Sequence, residues 1–94
     1  MVMDMEQLRS IVNLNNYGNI SIHLKEVIDA KGITRYRLAK LADTRFEVVE
    51  KWCSGTVERI DADVLSRFCY ILNCELTDII RYNPSTSHIT ANEV

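Results

Sequence analysis

The sequence predicts a single all-α domain of five helices preceded by an accessory segment. Three observations lead there. Apolar residues recur at helical spacing in four successive stretches of the chain. The stretches are separated by capping and stop residues: Lys31-Gly32, Thr34, Ser54-Gly55, Asp61 and Asn83-Pro84. Finally, 94 residues suffice for one modest core and not for two independently packed units with a linker.

Taken in order, residues 3–14 place Leu8, Ile11 and Val12 on one face of a short helix, which Asn13, Asn15, Asn16 and Gly18 then break. Ile20, Leu24, Val27 and Ile28 form the stripe of the first core helix, and Lys31-Gly32 suits its C-terminus, a cation followed by a glycine. Thr34 has the small polar side chain of an N-cap, and Leu38, Ala39, Leu41 and Ala42 give a second, two-turn helix its apolar face. A turn at Asp43-Thr44 leads to a third helix over 45–53, with Val48, Val49 and Trp52 inward. Asp61 caps a fourth helix, 62–72, in which Leu65, Phe68, Cys69 and Leu72 repeat at i, i+3, i+4 and i+7. A last turn over 77–80 is expected to bury Leu76, Ile79 and Ile80, before a Ser/Thr-rich tail without helical pattern. Ile89 is an alternative strand partner for Ile20 and Ile22. The divisions expected are 1–19 as N-terminal arm or accessory helix, 20–82 as the helical domain, and 83–94 as a flexible tail.

Composition narrows the chemistry. Nearly half the residues are apolar and a quarter are charged with mixed sign, as in a soluble domain. No apolar run approaches the roughly 20 residues that a membrane span needs. The first ten residues carry Asp4 and Glu6 where a signal peptide is basic and then apolar, so the expected address is the cytoplasm. Cys53, Cys69 and Cys74 are odd in number and show no CxxC spacing, which disfavours a zinc site. Cys69 and Cys74 read as small buried hydrophobes, whereas the neighbours of Cys53 suggest an exposed edge. His23 and His88 lie far apart, and there is no Ser/His/Asp set, paired acid, HExxH or Gly-rich phosphate loop. No enzyme, cofactor or metal is expected.

The net charge is −2, yet its distribution is uneven. From Thr34 to Arg59 six bases (Arg35, Arg37, Lys40, Arg45, Lys51, Arg59) meet four acids (Asp43, Glu47, Glu50, Glu58), so this block is net positive by two and the remainder net negative by four. For Glu47 and Glu50 two readings stand: a solvated helix surface with a Glu47–Lys51 pair at i, i+4, or contacts to bases. Phe46 is either tucked against a neighbour or part of a contact patch.

The run KGITRYRLAKLADTRFEVVEKWCSG, followed by RIDADVLSRFCYILNCELTDII, resembles the lambda-repressor and Cro type (XRE-like) of helix-turn-helix regulator over residues 22–82. The matching positions are Lys31-Gly32-Ile33-Thr34, Leu38-Ala39, Val49, Trp52, Gly55, Leu72-Asn73-Cys74 and Asp78-Ile79-Ile80. Each also has a physical reason. Ala39 is small where two helices cross closely, and Val49 and Trp52 plug the third helix into the core. Thr34 leaves the positive end of its helix open to a phosphate.

The resemblance implies a compact five-helix lambda-repressor-like fold. It also implies a sequence-specific, DNA-binding transcriptional regulator that acts on double-stranded operator DNA as a homodimer, with the third helix in the major groove. Arg45, Phe46, Glu47, Glu50 and Lys51 fall on its outward face. Arg45 suits guanine, Glu47 the cytosine N4 amine and Phe46 a thymine methyl, while Lys51, Thr34, Arg35, Tyr36, Arg37 and Arg59 suit the phosphates. Two positions depart from the family pattern. Asp43 stands where a glycine usually supplies positive φ, and Arg45-Phe46-Glu47 replaces small hydroxyl residues. Dimer contacts are expected either from Leu8, Ile11 and Val12 or from Ile79, Ile80 and Tyr82. The alternative to operator binding is a protein-binding adaptor or antitoxin-type regulator that presents Phe46, Glu47 and Glu50 to a protein partner.

Overall fold

The computed structural model describes residues 17–85. The chain divides into two units. Ser21–Arg81 forms the larger, and the described part of the smaller is residues 17–20 and 82–85. The expected helix over 3–14, Ile89, and most of the tail lie outside the described residues.

The elements run β1 (Asn19–Ile22), α1 (Leu24–Lys31), α2 (Arg35–Leu41), α3 (Phe46–Ser54), α4 (Ala62–Leu72), α5 (Leu76–Ile79) and β2 (Ile80–Asn83). Among the described residues there are five helices, as expected. The two strands make "all-α" an approximation, because β1 and β2 pair into a two-stranded sheet. They run antiparallel: the Asn83 side-chain amide donates to Asn19 Oδ1, while the His23 amide donates to the Ile79 carbonyl. Ile20 therefore belongs to a strand and not to the first helical stripe, and the strand partner is Ile80–Asn83, continuous with α5.

Local chemistry accounts for the helix limits. α1 stops at Gly32, which adopts φ +69°, a left-handed conformation that costs a Cβ-bearing residue strain. The Thr34 hydroxyl accepts from the Arg37 amide at 3.0 Å, the N-cap bond expected at α2. At α4, Asp61 Oδ1 accepts from the amides of Asp63 and Val64. Asn73 ends the same helix at φ +48°.

In Ser21–Arg81 the core consists of Leu24, Ile28, Leu38, Ala39, Ala42, Val49, Trp52, Leu65, Phe68, Leu72 and Ile79. Trp52 meets Phe68 edge-to-face with ring centroids 5.5 Å apart, a favoured geometry for the ring quadrupoles. Two leucines expected inside are outside. Leu41 is 49% exposed because Leu38, Ala39 and Ala42 already define the inward face of a two-turn helix, and Leu41 projects well to one side of it. Leu76 is 50% exposed, since a one-turn helix has room for one inward side chain and Ile79 takes that place. Cys69 and Cys74 are half-buried and not fully enclosed, and all three cysteines are free.

Candidate functional site

The α2–turn–α3 unit is held by backbone bonds at the turn. The Ala42 amide donates to the Leu38 carbonyl at 2.9 Å and the Thr44 amide to the Ala39 carbonyl at 3.0 Å. Asp43 sits between them at φ +52°, the positive φ that its position in the turn demands. The α2 C-terminus gains a cation from α4: Arg67 Nη1 donates to the Ala42 carbonyl at 2.9 Å, opposite the negative end of the helix dipole. Arg67 Nη2 is itself fixed by Asp63 at 2.6 Å.

α3 is anchored by Val49 and Trp52, both buried, with Val48 and Cys53 partly buried against the same core. Its other face is open. Glu47 and Lys51 are exposed, and Phe46 is 42% exposed, so its ring is a surface feature and not tucked under a neighbour. Arg45 is the residue ahead of the helix, in extended conformation, and makes no side-chain capping bond. Lys51 and Arg59 line one groove of about 690 Å³, walled by Thr44, Val48, Trp52 and Val64. On α2, Tyr36 and Arg37 are exposed, and the Lys40 ammonium lies 5.2 Å from the centre of the Tyr36 ring, a cation–π contact one helical turn apart.

The ionic pairing differs from expectation. The described residues contain three ion pairs: Lys25–Asp29, Asp63–Arg67 and Arg35–Glu50. The expected Glu47–Lys51 pair is not among them. Glu50 turns instead to α2, where its Oε1 accepts from Arg35 Nη1 at 2.7 Å. This hydrogen bond raises the Arg35 pKa above its already high ordinary value. Arg35 lies three and four residues ahead of the buried Leu38 and Ala39, so its helical position already turns it toward α3. That spacing places Arg35 on the α3 side of its helix without choosing its partner; the Lys40–Tyr36 contact was readable from i, i+4.

Among the described residues, no group of three or more His, Cys, Asp and Glu side chains is placed to hold a metal ion. The His23 ring shares a 2.7 Å hydrogen bond with the Ser21 hydroxyl. Burial pushes the thiols of Cys53 and Cys74 up, and at Cys53 the Arg35 charge works against that rise while Glu50 adds to it. No described helix is long and apolar enough to cross a membrane.

The model of the Cro/C1-type HTH DNA-binding domain matches residues 23–85. Among solved structures, a candidate DNA-binding protein from Bacteroides fragilis superposes with a TM-score of 0.61 at 22% identity, covering 67% of this chain and 100% of that one. This second likeness is one of fold. No curated protein matches the sequence.

Proposed function

This chain belongs to the Cro/C1-type helix-turn-helix DNA-binding domain family, and on that premise we propose that it is a sequence-specific transcriptional regulator that binds operator DNA in the cytoplasm as a homodimer. It acts by binding and not by catalysis. The observation that carries this reading is the state of α3: one face is locked into the core by Val49 and Trp52, and the other is open except where Glu50 pairs with Arg35.

A helix of nine residues so mounted fits a major groove. Arg45, Phe46 and Glu47 then meet base edges near its N-terminus, and Lys51 and Arg59 meet one phosphate strand from their shared groove. Thr34, Arg35, Tyr36 and Arg37 at the start of α2 face the neighbouring backbone, and Glu50 lies between the two helices beside Arg35. Dimer contacts come from outside the motif. Ile79 is fully buried in its own core and is unavailable for them; Tyr82 is exposed and remains a candidate, as do Leu8, Ile11 and Val12 outside the described residues.

Selection of bound sequences from a random DNA pool tests the whole reading. A two-fold symmetric motif with half-sites about one helical turn apart is expected. Failure to retain any duplex at low salt, by protein that keeps its helical circular dichroism, excludes it and leaves Phe46 and Glu47 as a surface for a protein partner.

A further inference from the structure

Of the six bases between Thr34 and Arg59, Arg35 alone is ion-paired among the described residues. The pair joins the first residue of α2 to the middle of α3 across the surface, with the two side chains 36% and 42% exposed. A half-exposed pair of this kind contributes little to folding. The helices it links are already locked by Leu38, Ala39, Val49 and Trp52. Stability therefore gives little reason for a carboxylate at this place, on the surface where an anionic duplex would approach.

Carboxylate and phosphate are rival acceptors for a guanidinium, since both accept its parallel N–H donors. A phosphate that approaches Arg35 either displaces Glu50 from Nη1 or shares the guanidinium with it, and in both cases the carboxylate faces the phosphate as a like charge. We propose that Glu50 is a positioning residue that sets DNA discrimination through Arg35: across the 2.7 Å contact it holds the guanidinium away from the phosphates of an arbitrary duplex. Arg35 adds little to sequence-independent affinity while so held, and the share of binding that depends on base edges rises accordingly. This inference rests on the reading of α2 and α3 as the DNA-facing surface.

The test is a set of salt titrations of the full chain with a random-sequence duplex, comparing wild type, Glu50→Gln, Arg35→Ala and the double variant. Both positions are partly exposed, so all four proteins are expected to fold, as circular dichroism will show. Glu50→Gln should bind several-fold more tightly at low salt. The slope of log K against log salt should steepen by about 0.9, the signature of one more neutralised phosphate. With Ala at position 35 there is no guanidinium to release, and Glu50→Gln should leave the slope unchanged. A fifth protein, Glu50→Ala, which cannot accept from Arg35 at all, should steepen the wild-type slope as Glu50→Gln does. Equal steepening with and without Arg35 would make Glu50 an independent charge and overturn the proposal. So would weaker binding by Glu50→Gln, which would make Glu50 a support for an Arg35–phosphate contact. If none of the four folded proteins retains DNA at low salt, the DNA-facing reading itself fails, and the proposal with it.

Discussion

At the head of α3, Arg45 occupies the position where a short oxygen-bearing side chain would close the first turn. Its guanidinium has no acceptor to offer the free amides, and the helix starts without a side-chain cap. Arg45→Ser supplies the missing acceptor and is expected to raise stability by about 1 kcal/mol, read as a higher urea midpoint. On the proposed function the same substitution removes a cation from the DNA-facing surface, and it is then expected to weaken DNA binding. A variant that gains stability and keeps full affinity would show that Arg45 has no role at the interface. Most inward residues of the longer helices were legible from spacing, because burial in a helix follows a fixed period, whereas Leu41 and Leu76, on the shortest helices, fell outside it. The partner of Glu50 was harder: two candidate cations, Lys51 of α3 and Arg35 of α2, lie within reach of the acidic residues on that face, and only the crossing of the helices decides between them.

Between elements, the α2–α3 unit is stiffened by a side chain from neither of them. Arg67 spans from Asp63 on its own helix to the carbonyl that ends α2. Arg67→Ala removes a charged donor from a partly buried carbonyl and is expected to destabilise the protein by about 1.5–3 kcal/mol. Arg67→Lys should recover only part of that, since a single ammonium does not reproduce the planar fork that serves Asp63 and Ala42 together. Denaturant unfolding of the two variants checks the order. Helix limits were largely legible because caps and stops are local: Thr34, Asp61, Gly32 and Gly55 act on amides and carbonyls a few residues away. The strands were not. Ile20 and Ile80 fit the ends of helical stripes equally well, and what makes them β is a partner some sixty residues distant in the chain. At the site, the outward face of α3 was legible from the same period, while the shared groove of Lys51 and Arg59 depends on how the loop after Gly55 folds back.

For the molecule as a whole, the two raised thiol pKa values link folding to pH. Cys53 and Cys74 hold their protons above the ordinary value of 9.0 when folded, whereas the unfolded chain releases them at that value. The folded state thus binds more protons in the alkaline range. Their contribution to stability is complete below pH 9.0 and falls as pH rises from there through the folded values. Urea midpoints should accordingly drop between neutral and strongly alkaline pH, and the drop should be smaller in Cys53→Ser/Cys74→Ser. An unchanged drop would assign it to other groups. The small sheet has a different consequence, one of time. Tyr82 and Asn83 bond to partners 65 and 64 residues away, whereas the helices form from neighbours. Closing so long a loop is entropically uphill until the intervening helices have shortened it, so β1 and β2 are expected to pair last in folding and to open first in native-state hydrogen exchange.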